Sequence, residues 1–147
     1  ALRGFRLLGD TGLRLRPDNL SGGIAGLRKD LARLGLAQEA RVFAVTELSN
    51  ADEKQARRLW DCSALKQQYR HMARQLAASH KTLTRRPESE VAAESLLLGR
   101  AAIRLILLDP LLPDTLIDNR PRHQLIERMG AYQRDAKAIW MAILNRI

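Results

Sequence analysis

The chain is poor in the residues that would announce a chemistry. It has one cysteine, Cys62, in 147 residues; that excludes an internal disulfide framework and fits a reducing cytoplasm. The histidines His71, His80 and His123 have no histidine or cysteine partner one helical turn away, so zinc-type ligand spacing is absent and no metal is expected. Aromatic residues make up 4% of the sequence, so the core must be aliphatic. No apolar run approaches the roughly 18 residues of a membrane span; Leu105 to Leu108 is far shorter. Arginines interrupt the first sixteen residues, against the pattern of a secretory signal. Gly22-Gly23-Ile24-Ala25-Gly26 is glycine-rich, but no Lys-Ser/Thr follows and dinucleotide spacing is lacking, so a permissive turn into a helix is its plain reading. No serine or cysteine is paired with a base, and no acidic pair stands at a strand end to hold a metal. An enzyme is therefore not expected, nor a cofactor.

What is present is apolar content and positive charge. Hydrophobic residues are 46% of the chain, and the formal net charge is +9. Residues 1–48 carry eight Lys/Arg against five Asp/Glu, residues 49–87 nine against three, and residues 88–147 eight against eight. The excess thus lies in the first two thirds. It favours an anionic partner, a nucleic acid or a phosphate-bearing ligand, unless it is simply a solvated arginine-rich surface.

Periodicity gives the elements. Phe5, Leu7, Leu13 and Leu15 alternate with Arg6, Arg14 and Arg16, and Gly9-Asp10-Thr11-Gly12 lies between them, which predicts a hairpin. Asp18-Asn19 or Ser21 can cap a helix bearing Ile24, Leu27, Leu31 and Leu34, with Gly35 as its stop. Arg41 to Thr46 is rich in strand formers and predicts a third strand. Helices follow: one from Ala51 to Trp60 capped by Ser49 or Asn50, one capped by Ser63 with Leu65, Tyr69, Met72 and Leu76 on a stripe, one from about Glu88 to Leu108, and one from Pro121 to Asn145. The third of these is apolar on nearly every side after Ser95, so it is expected to be the central buried helix. The class is α+β: a partial ferredoxin-like unit over residues 1–48, then a mainly helical domain over residues 49–147.

Arg104 stands out within the apolar run Ala101 to Leu108. If buried, it needs a partner. Glu94 or Asp109 could supply one, or the residue could sit at a solvent edge; Arg100, one turn earlier, could instead join it in an anion site. Trp60 and Trp140 sit among apolar residues at helical spacing, where packing is the default. Lys66, Arg70 and Arg74 form a stripe that either follows a phosphate backbone or is a solvated flank.

Several segments line up in order: Gly4-Phe5-Arg6-Leu7-Leu8, Leu13-Arg14-Leu15-Arg16-Pro17-Asp18-Asn19-Leu20, Gly35-Leu36, Val42-Phe43, Leu59-Trp60-Asp61 with Leu65 and Tyr69, and Arg104 with Asp109-Pro110-Leu111-Leu112-Pro113. Together they resemble the middle and C-terminal parts of the phenylacetic-acid-degradation repressor (PaaX) family. The resemblance implies a bacterial transcriptional repressor acting as a homodimer in the cytoplasm. It implies three parts: an N-terminal winged-helix DNA reader, which this sequence lacks, a central ferredoxin-like domain and a helical C-terminal domain. It further implies release of operator DNA on binding an aryl-acyl-coenzyme A such as phenylacetyl-coenzyme A, with control of phenylacetate catabolism. On this reading Arg14, Arg16, Arg100 and Arg104 are candidates for an anionic ligand or for inter-domain ion pairs, and Trp60 for stacking on the ligand. The rival reading is a stand-alone basic nucleic-acid-binding module. The sequence departs from the family pattern after the turn, where Arg120-Pro121-Arg122 stands in place of Trp-Pro-Gly.

Overall fold

The structure is a computed structural model that describes residues 4–146. The hairpin forms as β1 (Arg6–Leu7) and β2 (Arg14–Leu15), antiparallel, with Arg6 opposite Leu15 and Leu7 opposite Arg14. Its turn closes through the Leu8 N–H to the Leu13 carbonyl at 2.8 Å, and through Thr11, whose hydroxyl donates to the Leu8 carbonyl at 2.6 Å. Gly9 and Gly12 take φ of 52° and 75° there, a region that costs a side chain-bearing residue.

Helix α1 (Gly23–Arg33) follows. None of Asp18, Asn19 or Ser21 caps it: the N-cap is Gly22, without a side-chain bond, and the Asn19 amide donates instead to the Leu111 carbonyl. Its end is a Schellman closure. Gly35 stands at φ 88°, the Leu36 N–H reaches the Leu31 carbonyl at 2.9 Å, and the Gly35 N–H reaches that of Ala32 at 3.0 Å.

The expected third strand does not form. Residues 41–46 have no strand partner, and Phe43 and Val45 are exposed. Strand formers express that preference only against a neighbouring strand and a half-buried face, and here the Val42 carbonyl is taken by the Arg28 guanidinium instead, at 2.6 Å. The α+β class holds, with four further helices and one two-stranded sheet, but the described residues do not make a ferredoxin-like sheet.

Those helices are α2 (Asn50–Arg57), α3 (Cys62–His80), α4 (Glu88–Leu107) and α5 (Arg120–Leu144). Ser49 caps α2, its Oγ accepting from the Asp52 N–H at 3.2 Å. Asp61, not Ser63, caps α3, accepting from the Ala64 N–H at 2.8 Å. Pro87 precedes α4, and Pro121 occupies the first turn of α5, where its missing N–H costs nothing. No helix is long and apolar enough to cross a membrane among the described residues.

The chain divides into two compact units, Ala1–Trp60 with Pro110–Leu116, and Asp61–Asp109 with Ile117–Ile147. In the first, Leu31, Trp60, Pro110 and Leu112 are buried, and the Trp60 indole N–H donates to the Gly4 carbonyl at 3.3 Å. Gly4 has φ 78°, and a Cβ there would lie 2.8 Å from the Pro110 carbonyl oxygen, so backbone meets backbone where only glycine fits. The Arg57 guanidinium donates to the Thr115 carbonyl at 3.1 Å.

The second unit is a three-helix bundle. Ser79 meets Tyr132 near one end, and Tyr69 and Arg122 share Asp109 near the other, so α3 and α5 run in the same sense. Ser95 meets Trp140 and Asp109 meets Arg122, so α4 runs against α5. Tyr69, Leu76, Val91, Leu125 and Tyr132 are its largest fully buried side chains, so the core is not the purely aliphatic one that the low aromatic content suggests; both tyrosines of the chain lie inside it. The expectation that α4 is buried on all sides is overturned. Val91, Ala92, Ser95 and Ala102 are buried, while Leu96, Leu97, Ile103, Leu107 and Leu108 are exposed. Two neighbours cover only one side of α4, and its remaining apolar surface is left open.

Candidate functional site

The open side of α4 and the adjoining face of α5 make a groove of about 890 Å³ in the second unit. Its floor includes two small residues, Gly99 on α4 and Ala136 on α5, whose missing side-chain volume leaves the space open, with Met129 and Tyr132 beside them. Leu96, Ile103, Leu107 and Leu108 form the α4 wall. Trp140 closes one end. Its indole N–H donates to Ser95 Oγ at 3.1 Å, and that hydroxyl donates in turn to the Ala92 carbonyl at 2.8 Å. The rim is cationic: Arg100 and Arg104 from α4 and Lys137 from α5, with Gln133 between apolar neighbours; no carboxylate lines the groove.

The spacing on α4 explains this arrangement. Leu96, Arg100, Ile103, Arg104 and Leu107 recur at three and four residues, so they share one face. Arg104 is exposed, and neither acid considered from sequence reaches it in an ion pair. Glu94 is bound by Arg86, and Asp109 by Arg122. The guanidinium groups of Arg100 and Arg104 therefore rise from an apolar surface and face solvent.

The floor is fixed from behind. Tyr132 turns its hydroxyl away to Ser79 at 2.9 Å, and its ring meets His80 edge-on at 6.0 Å. Burial raises the Tyr132 phenol above its usual range, only partly offset by the Ser79 bond. His80 Nε2 lies 2.6 Å from Asp135 Oδ2, tying α3 to α5 again. Glu94 is held below the usual carboxylate range by its hydrogen bond to Arg86.

A second polar cluster closes the far end of the bundle. Asp109, whose side chain is 2% exposed, binds Arg122, and Tyr69 bonds to the same carboxylate. Burial and then the Asp109 charge push the Tyr69 phenol well above its ordinary value. Nearby in sequence, Asp118 is pushed down to about 2 by the hydrogen bonds of Arg120. The arginines that depart from the family pattern are thus engaged, Arg120 with Asp118 and Arg122 with Asp109.

The five residues singled out from sequence fall in both units. Arg100 and Arg104 are brought together on the groove rim. Arg14 is exposed on β2 in the first unit. Arg16, also there, donates to the Pro17 carbonyl and to Asn19 Oδ1, both at 2.9 Å, with its guanidinium 6.0 Å from the Phe5 ring centre. Trp60 is 8% exposed, with its N–H bound to Gly4. Sequence reasoning missed Gln133 and Lys137, which border the apolar stripe of α5; their place depends on how α4 and α5 pair, and a single helix does not reveal that. Among the described residues no three His, Cys, Asp or Glu side chains gather as a metal site.

No curated protein and no solved structure matches the chain. The family model described as the PaaX-like protein C-terminal domain matches residues 60–142, which span α3, α4 and nearly all of α5 and make up more than half of the sequence. The chain therefore belongs to the PaaX-like family of transcriptional regulators.

Proposed function

We propose that this chain is the effector-sensing and dimerisation region of a transcriptional repressor, and that the α4–α5 groove receives an aryl-acyl-coenzyme A. The observation that carries the reading is one apolar trough bordered by Arg100, Arg104 and Lys137, with no carboxylate in it. An acyl thioester of coenzyme A has the matching halves, an apolar acyl end and a phosphorylated end. The volume, about 890 Å³, lies in the range of small-molecule sites. Arginine suits the phosphates because it presents several donors in a fixed fork.

In this reading Arg14 and Arg16 serve ion pairs between domains of the intact regulator, and Trp60 anchors the first unit. The ferredoxin-like assignment of residues 1–48 rests on the hairpin and α1. Ligand binding shifts operator affinity by favouring one arrangement over another, and the operator itself is read by a winged-helix domain outside this sequence.

Calorimetric titration with phenylacetyl-coenzyme A, with free coenzyme A as control, tests the reading. Saturable binding of the acyl form, weakened at least tenfold in Arg100→Ala/Arg104→Ala, is the expected result. Equal binding of both compounds would reduce the groove to general phosphate attraction, and binding unchanged in the double variant would place the site elsewhere.

A further inference from the structure

The exposed side of α3 is chemically unlike the groove. From Cys62 to Pro87 the sequence contains no Asp or Glu, but it contains Lys66, Arg70, Arg74, Lys81, Arg85 and Arg86. Arg86 is neutralised by Glu90 and Glu94, and Lys66 is half-buried near Asp118. The other four are exposed, and none is among the ion pairs of the described residues. Arg70 and Arg74 are one turn apart. Lys81 caps the C-terminal end of α3, three turns after Arg70 and about 16 Å further along the axis, so the three share one face. Arg85, also exposed, lies in the turn that follows.

Surrounding chemistry narrows the partner. No large hydrophobic residue is exposed between Leu48 and Leu96. A helix that lies on a membrane needs an apolar face to insert, and a protein interface needs an apolar centre; this surface has neither. Its side chains include no exposed Trp, Tyr or Phe, so successive bases of a single strand would find nothing to stack on. A row of cations without apolar or aromatic companions fits a regular array of phosphates.

We propose that the outer face of α3 and its following turn, from Arg70 to Arg85, bind the phosphate backbone of duplex DNA without reading its sequence. The contact is independent of the ligand groove and needs no effector. In the intact regulator it adds sequence-independent affinity from the helical unit to whatever the DNA-reading domain contributes, and it holds the sensor against the duplex.

The test is fluorescence anisotropy of the chain with a labelled duplex of arbitrary sequence, about 20 base pairs long, across about 50 to 200 mM salt. Four phosphate contacts predict a log–log slope of about −3 to −4. Arg70→Gln/Arg74→Gln should flatten the slope by about 2 while far-ultraviolet circular dichroism stays helical. Arg33→Gln, an exposed cation of α1 in the other unit, should leave it nearly unchanged. No duplex binding at the lowest salt would overturn the proposal. So would an unchanged slope in the double variant, equal flattening by Arg33→Gln and Arg70→Gln, or binding to phosphatidylserine vesicles without binding to DNA.

Discussion

In the second unit the interior is made of side chains from three helices, with Tyr69, Leu76, Val91, Leu125 and Tyr132 wholly enclosed. In the first unit the enclosed residues are fewer and come from scattered places, Leu31 on α1, Trp60 after α2, and Pro110 and Leu112 from the connection between α4 and α5. Polar contacts to backbone carbonyls, from Asn19, Arg28, Arg57 and Trp60, supply much of its order. Burial of apolar area is the dominant stabilising term, at roughly 25 cal/mol per Å², so the helical unit should outlast the hairpin unit under denaturant. Each unit carries one tryptophan, Trp60 in the first and Trp140 in the second. Removing either one leaves a reporter for the other unit.

Three substitutions sharpen or break that contrast. The largest effect is expected from Asp109→Ala, which strands the Arg122 guanidinium and the Tyr69 hydroxyl at a nearly closed site. Breaking a buried pair in this way costs about 3 kcal/mol, read as a lower urea midpoint of Trp140 fluorescence in a Trp60→Phe background; an unchanged midpoint would mean the cluster contributes nothing. Next is Gly4→Ala, which meets both the φ of 78° and the Pro110 carbonyl. A loss of about 2 kcal/mol is expected, seen by Trp60 in a Trp140→Phe background. If Trp140 in the reciprocal background reported the same loss, the units would unfold together and the contrast would dissolve. Smallest is Tyr132→Phe, which removes the buried bond to Ser79 and should lower the second unit's stability by about 1 kcal/mol.

The hairpin was legible because glycines bracket the only turn cluster between two alternating segments, and the Gly35 stop because the chain needs a left-handed residue there. Residues 41–46 were not, since strand preference is realised only by a partner that the described residues do not supply. The composition of α4 was legible and its consequence was not. An apolar circumference indicates burial in a large protein, but in a bundle of three helices it leaves a bare side, and that side is the groove. Arg104 was legible as unusual for the same reason, although Ile103, Leu107 and Leu108 of that run are exposed with it, while Ala102 is buried.

The passage of the chain from the second unit into the first at Pro110, and back at Ile117, bears on how the protein is made. Domains emerging from a ribosome commonly fold in order, the earlier one first. Here the earlier unit waits: Asn19, Gly4 and Arg57 have their bonding or packing partners at Leu111, Pro110 and Thr115. Translation must therefore carry α3 and α4 out of the exit tunnel before the hairpin unit can be completed, and no single cut in the gene separates the two.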